Sequence, residues 1–452
     1  MIKKRKLLIR LATLAIAVLF ISLTILPSFA VEKDPTRRPP NPIEIETSIT
    51  VSRGEAHLLQ PGYVLDTGET YTWTSSDTSV ATVTSYGLVN GVSSGTATVT
   101  VVLHTNDWGN YSKKCSVTVG SSGIISNGTY FIHNVNADKY IDIEGPSTSN
   151  DAYLQLWQMT AATQRRWNFT LGTDGYYRIQ SVYSSKYMRV TGSSATAGAT
   201  ITQNSSIVSG SKWALMRTAA GNYVFVPASS TSSLVVLNAP GTTNGYNLNT
   251  ATYTQNTDYK DEWKVFLISK SISGVPISLR SNEAHTCIPC AIVNVAGYWS
   301  THGYSMFNCS TSAQQETAAV CVQNAMNWGG GYGATANIQN GFNILNTVHN
   351  GKTYSFNCEN IGINEAGFSI ADIMDEINNG RPIMLGFGGS PASTGNPYNG
   401  GHMTVCYGYY LSSDGVHVLV SNALSYNAGI DDHIFNTSYN YFICKVKVMV
   451  SQ

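Results

Sequence analysis

The sequence predicts a multidomain protein in which two all-β domains precede one α+β domain. Three observations support this fold class. Short alternating strands separated by turn clusters fill residues 44–120, a β-rich pattern occurs in three copies within 121–269, and helical periodicity first appears after residue 270. A chain of 452 residues has room for two to four domains.

The first 30 residues have the pattern of a secretory signal peptide. MIKKRKLLIR carries five basic residues and no acidic one, an apolar run follows, and Ser28-Phe29-Ala30 supplies small residues for cleavage. The apolar run is near the lower length limit for a membrane span, so an uncleaved anchor is the alternative. The proline-rich residues 31–43 read as an extended linker. We expect a secreted, extracellular protein that is released or held non-covalently at the cell surface.

The charge balance indicates which partners to expect. The chain has 27 basic and 27 acidic residues, and removal of the signal segment leaves 22 against 27, a net charge of about −5. Nucleic acids and anionic lipids are bound mainly through basic patches. We therefore expect no nucleic-acid partner, and we expect a monomer.

Residues 44–120 read as a β-sandwich. The stretch TYTWTSSDTSVATVTSYGLVNGVSSGTATVTVV alternates apolar and polar residues, with turn clusters between the runs. The string W-x-S-S-D-x-S-V-A-T-V, followed by G-L-V-x-G and G-T-A-T-V-T, closely resembles bacterial Ig-like domains of group two. This resemblance implies a spacer or an adhesive stalk.

Residues 121–269 read as three copies of one β-rich unit. Each copy has a hydrophobic strand, a turn, a second strand and then a tryptophan: Trp167, Trp213 or Trp263. Each copy can bury its apolar face only against the other two, which predicts a β-trefoil with the tryptophans in its core.

The three copies resemble ricin-type lectin domains, whose signature is Q-x-W near the end of each copy. QRRW at 164–167 has one additional residue, while SKW at 211–213 and DEW at 261–263 lack the glutamine. A sugar site needs a carboxylate or amide for vicinal hydroxyls and an aromatic face for the sugar ring.

The resemblance places glycan contacts at Asp142, Trp157 and Gln164 of the first copy. The second copy has Arg189 in place of Asp142, and the third has Val236 or a neighbour, so neither supplies an acid. We expect one glycan pocket at most. A trefoil kept only as a structural spacer is the alternative.

Residues 270–452 combine helices with an antiparallel sheet. Ile292, Val295, Ala296 and Trp299 follow a helical spacing, and the segment 312–315 has a capping-box pattern. SIADIMDEINNG reads as a helix, RPIMLGF as a strand, and GGHMTVCYGYY and GVHVLVSNAL as paired strands. The order of helices first and an antiparallel sheet second predicts an α+β domain.

Seven of the eight cysteines lie in this last domain, and only Cys115 precedes it. In a secreted domain an odd number allows up to three disulfides and leaves one thiol unpaired. Spacing alone does not identify the pairs.

Two of these cysteines, Cys287 and Cys290, stand three residues apart in HTCIPCAIVNVAGYW. A C-x-x-C pair could be a redox motif or half of a zinc site, but no βαβ context and no second ligand pair accompany it. Pro289 belongs in a first helical turn, which makes Cys287 the start of a helix. The dipole there favours a thiolate. Cys290 then lies one turn inside and reads as packed or disulfide-bonded.

A cysteine nucleophile needs a base and an orienting group. His402 opens a strand after Asn399-Gly400-Gly401, and Asn422 ends the next strand. If these strands pair, the hairpin returns Asn422 close to His402. A thiolate, an imidazole and an amide form the Cys-His-Asn constellation of acyl-transfer hydrolases.

The strings C-x-P-x-A and G-H-x-x-x-x-x-G-Y, with NNGRPIMLGF between them, resemble papain-like peptidases of the bacteriocin-processing type. The resemblance implies amide hydrolysis through a thioester, with Cys287 as nucleophile, His402 as base and acid, and Asn422 as orienting group. The backbone N–H of Cys287 would form half of the oxyanion hole. The family's oxyanion glutamine is absent, and Asn282 is the nearest candidate in its place.

The combined reading is a secreted cysteine peptidase that acts on protein or peptide substrates, with a lectin domain that targets it to glycans. No cofactor and no metal are expected. A Cys-His peptidoglycan amidase or endopeptidase is one alternative, and a non-catalytic carbohydrate-binding adhesin is the other.

Overall fold

The structure is a computed structural model that describes residues 41–160, 162–192, 195–254, 258–276, 287–326, 335–361, 369–388, 402–411, 416–422, 429–434 and 440–451. Three units follow one another along the chain. Within the described ranges, no helix has both the length and the apolar character needed to cross a bilayer.

The first unit is the expected β-sandwich. One sheet has the strand order β1-β7-β6-β3 and the other β2-β5-β4. Side chains at alternating strand positions, such as Val51, Val99 and Val117, are buried between the two sheets. Its seven strands are β1 (Ser48–Arg53), β2 (Ala56–Leu58), β3 (Thr70–Ser75), β4 (Ala81–Val83), β5 (Leu88–Gly91), β6 (Gly95–His104) and β7 (Asn110–Gly123).

The second unit is a β-trefoil of three four-stranded copies. The first copy has β8 (Gly128–Asn134), β9 (Lys139–Ile143), β10 (Leu154–Trp157) and β11 (Trp167–Leu171). The second has β12 (Tyr177–Ser181), β13 (Tyr187–Val190), β14 (Ile201–Asn204) and β15 (Lys212–Arg217). The third has β16 (Tyr223–Pro227), β17 (Val235–Asn238), β18 (Asn249–Thr252) and β19 (Trp263–Leu267).

Six of these strands close a barrel. The pairings run β8 to β11, β12, β15, β16, β19 and back to β8, and the hairpins β9–β10, β13–β14 and β17–β18 cover one end. Closure leaves no unpaired edge in the barrel, and each copy packs against the other two. The predicted trefoil is confirmed.

The third unit has helices on both faces of an eight-stranded antiparallel sheet, in which seven strands follow the order β21-β22-β27-β23-β24-β25-β26 and the eighth, β20, also pairs with β24. Its helices are α1 (Cys287–Thr301), α2 (Ser312–Ala325), α3 (Thr335–Asn343) and α4 (Ile370–Asn378). Its strands are β20 (Ser269–Ser271), β21 (Thr347–His349), β22 (Lys352–Ile361), β23 (Ile383–Gly388), β24 (His402–Leu411), β25 (Val416–Asn422), β26 (Gly429–Ile434) and β27 (Asn440–Ser451). Along the chain, the hairpin β21–β22 follows α3 and precedes α4, and it was not predicted from the sequence.

Successive side chains of the central strands point to opposite faces of the sheet, so this unit has two separate hydrophobic cores. Met384 and Val405 face α1 and α3, whereas their neighbours Leu385 and Cys406 face α4. The sheet is therefore buried on both sides, and α1 lies on the opposite face from α4.

Capping side chains mark the residues at which α4 and α2 begin. Ser369 caps α4 in a capping box with Asp372, and Gly380 ends the helix region with a φ of 70°. The box before α2 is displaced by one residue from the predicted segment, because Thr311 rather than Ser312 is the cap. Thr311 is extended, and its hydroxyl accepts from the Gln314 backbone N–H.

The trefoil and the α+β unit share a core. Phe131, Tyr140 and Phe266 of the trefoil pack with Met374 and Ile377 of α4. Across the same boundary, Lys264 and Asp375 form an ion pair at 2.8 Å.

A single residue, Ile268, joins β19 of the trefoil to β20, which pairs with β24 in the α+β sheet. Its N–H donates to the Thr129 carbonyl at 3.3 Å, and its carbonyl accepts from the Leu411 N–H at 3.1 Å. The chain therefore passes between the two units without a free linker.

The structure contains no disulfide among the eight cysteines, all of which lie within its described ranges.

Candidate catalytic and carbohydrate-binding sites

Cys287 is the first residue of α1, as the proline motif predicted. Pro289 occupies the first turn, where its missing N–H leaves no helical hydrogen bond unmade. Cys290, one turn further, is fully buried and belongs to the scaffold. The half-buried Cys287 thiol therefore stands at the end of α1 where backbone N–H groups have no helical acceptor.

Backbone N–H groups surround the Cys287 sulfur. The amides of Met403, Ile288 and Cys287 itself lie close enough to the sulfur to favour the thiolate. Burial has the larger effect and raises the pKa of the Cys287 thiol above its ordinary value, while these amides lower it in part. Burial therefore opposes the thiolate that the amides at the helix terminus favour, and a base would assist deprotonation.

His402 is the first residue of β24 and stands next to Met403, whose amide contacts the Cys287 sulfur. Its partner in the register is Phe387 of β23, and its side chain is only 4% exposed. Because Cys287 packs against the core cluster that contains Met403, the start of α1 lies beside the start of β24. The structure thus brings together the chain segments that carry Cys287 and His402.

Asn422 is the last residue of β25, the strand beside β24. The register sets Ser421 opposite Val405, so the predicted pairing of the two strands is confirmed and Asn422 ends near the start of β24. The side chain of Asn422 and all of Asn282 lie outside the described part of the chain.

Asn294 is a buried polar residue near this site that the sequence reasoning missed. It lies on α1 with 1% exposure, and its amide donates to the Ser421 hydroxyl at 3.5 Å. Ser421 is itself buried and donates to the Pro276 carbonyl at 3.5 Å. These contacts link the helix that begins at Cys287 to the strand that ends at Asn422. A polar residue within an otherwise apolar helical face was the available signal.

In the trefoil, two of the three predicted sugar contacts, Asp142 and Trp157, lie on the hairpin β9–β10. Asp142 is opposite Gln155 in the register, and Trp157 is two residues further along on the same face. The Gln155 amide donates to Asp142 Oδ2 at 3.2 Å. Gln164 is half-buried in a short 3-10 helix, Thr163–Arg165.

The Asp142 carboxyl is more enclosed than an open sugar site requires. It is 3% exposed, and Arg165 approaches its Oδ2 at 3.7 Å. Burial raises the pKa of Asp142, while Arg165 and Gln155 oppose the rise. Its second oxygen, Oδ1, is buried without a hydrogen-bond partner in the described part of the chain. Asp142 and Arg165 thus form a nearly dry ion pair beside half-buried Trp157.

Gln155 is the trefoil residue that the sequence reasoning missed. Its position two residues before Trp157 in a strand places it on the same face as the tryptophan, and this alternation was the signal. The turn containing Gly245 lies against both side chains, since a Cβ there would be 3.8 Å from Gln155 Oε1 and 3.9 Å from the Trp157 ring.

The tryptophan hydrogen bonds identify which residues are equivalent in the other copies. The indole N–H groups of Trp167, Trp213 and Trp263 donate to the carbonyls of Ile141, Met188 and Leu237. The residues that follow those carbonyls are Asp142, Arg189 and Asn238. The third copy therefore presents Asn238 rather than Val236, which is fully buried. Neither later copy supplies an acid.

No cluster of three or more His, Cys, Asp or Glu side chains that could hold a metal ion occurs among the residues that the structure describes.

Comparisons with known families divide the chain in the same order as the fold. A bacterial Ig-like domain (group 2) matches residues 47–117. A ricin-type beta-trefoil lectin domain-like family matches residues 121–204 and 163–251. The Peptidase_C39 like family matches residues 248–445. The chain therefore contains an Ig-like, a lectin-like and a C39-peptidase-like domain.

Solved structures resemble the trefoil region. A designed threefold-symmetric protein, ThreeFoil, is 26% identical, with 31% of this chain and 98% of that chain covered and a TM-score of 0.28. The Rhizoctonia solani agglutinin is 15% identical, with 31% and 95% covered and a TM-score of 0.28. The earthworm R-type lectin C-half, solved with GalNAc, is 14% identical, with 30% and 97% covered and a TM-score of 0.23. No curated protein matches the chain.

Proposed function

We propose that this protein, which carries a C39-peptidase-like domain behind an Ig-like and a lectin-like domain, is a secreted cysteine peptidase. The observation that supports it best is the packing of the helix-terminal Cys287 against Met403, the residue that follows His402 on β24, which sets the thiol beside the strand that begins at His402. A thiol and an imidazole on adjoining elements are the minimum for nucleophilic acyl transfer.

In the proposed reaction, His402 takes the proton from Cys287 as the sulfur attacks the substrate carbonyl carbon. The carbonyl oxygen becomes an oxyanion that accepts a hydrogen bond from the Cys287 backbone N–H, with Asn282 as the second donor. The C–N bond then breaks, His402 protonates the leaving amine, and a thioester remains on Cys287. Water activated by His402 hydrolyses the thioester and restores the thiol, while Asn422 orients the imidazole.

The raised pKa of the Cys287 thiol affects the mechanism. Because burial raises the pKa of the Cys287 thiol, we assign the proton transfer to His402 to the step in which the sulfur attacks.

Replacement of the nucleophile tests the peptidase. We expect Cys287→Ala to lower the rate of casein cleavage by about a thousand-fold or more, because the acyl-enzyme cannot form. Cys321→Ala is the matched control, since Cys321 is exposed on α2. Iodoacetamide should modify Cys287 before the buried Cys290. Equal activity in wild type and Cys287→Ala would exclude the mechanism and leave a binding protein.

The same two proteins separate the substrate classes. Purified cell walls offered in place of casein would be cleaved by wild type and not by Cys287→Ala if the acyl group comes from a peptidoglycan stem peptide. Cleavage of casein alone supports the peptidase reading, and cleavage of walls alone supports the amidase.

The lectin-like domain, in this proposal, holds the enzyme on glycans and raises the local substrate concentration. Asp142 and Gln164 would bind sugar hydroxyls, and Trp157 would stack on the sugar ring. Asp142 Oδ1, which has no hydrogen-bond partner in the described part of the chain, would be the acceptor for a sugar hydroxyl.

Substitution at Asp142 tests the sugar site. We expect Asp142→Ala to reduce retention on mucin and on galactose- and GalNAc-agarose by ten-fold or more, because a buried sugar hydroxyl would lose its charged acceptor. Arg189→Ala, at the equivalent position of the second copy, should leave retention unchanged. Unaltered binding by Asp142→Ala would place any sugar site elsewhere.

Secretion is the third part of the proposal and rests on the signal-like first 30 residues and on the Ig-like and lectin-like domains. Recovery of protein from the culture medium with Val31 at its N-terminus would support it, whereas an intact Met1 on membranes would favour the anchor.

A further inference from the structure

Two cysteines outside the candidate catalytic site lie in neighbouring strands of the α+β sheet. Cys358 is on β22 and Cys444 is on β27, and these strands are antiparallel neighbours. The register sets Cys358 opposite Val446 and Cys444 opposite Asn360. The two cysteines are therefore diagonal neighbours and point to the same face of the sheet.

The two side chains also share a core. Both pack between the sheet and helices α1 and α3. The nearby Cys358 thiol and burial both raise the pKa of Cys444. The backbone on the Cys358 side is held in place, since the Cys358 N–H donates to Gln339 Oε1 at 2.9 Å. Diagonal neighbours of this kind lie about 7 Å apart, at the upper limit of the Cα separation in disulfides, so the bond requires a small shift of strand β27 toward β22.

We propose that Cys358 and Cys444 form a disulfide when the folded protein meets an oxidising environment. Cys358 is half-buried and Cys444 is fully buried, so an external oxidant reaches Cys358 first. The Cys358 sulfur attacks one sulfur of an external disulfide, which breaks that bond and releases one thiol carrying a proton. The Cys444 sulfur then attacks the mixed disulfide at Cys358, and the second external thiol leaves with the second proton. The protein loses two electrons, and the external disulfide gains them.

The bond would constrain the part of the chain that contains the candidate base. The loop between Cys358 and Cys444 contains α4 and strands β23 to β26, and therefore both His402 and Asn422. A crosslink across a long loop stabilises by restricting the unfolded chain. Exposed Cys321 on α2 and half-buried Cys287 take no part in it.

Peptide mapping tests the proposal on the full chain. Wild type and Cys287→Ala are incubated with oxidised glutathione, denatured in iodoacetamide and digested with chymotrypsin without reductant. The sequence places each cysteine on its own fragment, residues 357–368 and residues 443–452. We expect these fragments to be linked to each other and to separate on reduction. Alkylation of both fragments, or linkage of either to another cysteine, would overturn the proposal.

Thermal unfolding provides the second readout. Oxidised wild type should unfold on the order of 5–10 °C above its reduced form. Cys358→Ser should lose that difference and leave Cys444 alkylated, whereas Cys321→Ser should keep both the difference and the linked fragments. An oxidised wild type with no higher unfolding temperature than Cys358→Ser would contradict the stabilising role. Because Cys287→Ala retains the link, the result is independent of peptidase activity.

Discussion

Three tryptophans show at the residue scale how the trefoil closes. Trp167, Trp213 and Trp263 are each 0% exposed, and each indole N–H reaches a main-chain carbonyl of its own copy. Each side chain thus fills the core and satisfies its polar atom at once, which buried tryptophan requires. Their repetition made them predictable, and the sequence also matched Arg189 of the second copy to Asp142, whereas Asn238 as the equivalent residue of the third copy required the structure.

A buried carboxyl next to one of these tryptophans gives a prediction about pH. Burial raises the pKa of Asp261 to about 6, and the nearby Asp258 and Glu262 charges add to the rise. The folded protein therefore holds this proton more tightly than the unfolded chain. The resulting stability is complete below the unfolded pKa of about 4 and is lost as the pH rises through 6.

Asp261→Asn should remove this dependence. We expect the variant to gain on the order of 2 kcal/mol at pH 8 and almost nothing at pH 4, because only the ionised carboxyl is penalised. Calorimetric unfolding temperatures at the two pH values measure the effect. Asp77→Asn in the Ig-like domain is the control, since hydrogen bonds from Ser79 lower the pKa of the Asp77 carboxyl and its loss should bring no gain. Equal gains by Asp261→Asn at both pH values would contradict the argument.

At the scale of the element, a first-turn proline determines where α1 begins and a capping hydroxyl determines where α2 begins. Pro289 in the first turn made the start of α1 predictable from sequence. The start of α2 was displaced by one residue, because Thr311 and Ser312 both have capping hydroxyls and only the backbone conformation selects between them. The hairpin β21–β22 was missed because its pairing with β27 is distant in sequence.

The cap of α2 provides the second prediction. Thr311→Ala should destabilise the protein by about 1 kcal/mol, since the Gln314 backbone N–H would lose its acceptor. Thr317→Ala, on the exposed side of the same helix, should have no such cost because its hydroxyl bonds only the Ala313 carbonyl. Urea unfolding of both variants measures the difference. A loss at Thr317 as large as at Thr311 would mean that the hydroxyl does not act as a cap.

At the scale of the whole molecule, the trefoil and the peptidase-like domain share a core through Phe131, Tyr140 and Phe266. Sequence predicted the order of the domains but not this contact, because an apolar residue on a strand does not reveal which neighbour covers it. The Ig-like domain also packs on the trefoil, where the Leu215 N–H donates to the Gly54 carbonyl at 3.1 Å.

Truncation tests the shared core. A chain beginning at residue 270 lacks the trefoil and would expose the apolar face of α4, so we expect aggregation and strong binding of a hydrophobic dye. A chain beginning at residue 121 keeps the trefoil and should remain folded, with a smaller apolar face uncovered. Size-exclusion chromatography and dye fluorescence compare them. A monomeric, dye-silent chain from residue 270 would show that the shared core is dispensable.

The junction at Ile268 restricts how far the lectin-like domain can move relative to the peptidase-like domain. Hydrogen bonds from both sides hold this residue, so no slack segment separates the two domains there. A flexible tether samples a sphere of positions, whereas this junction allows few. If the lectin-like domain binds a glycan, the fold sets the distance between the bound sugar and the peptide bond that is cleaved. Cleavage sites should therefore cluster at one distance from each glycosylated residue.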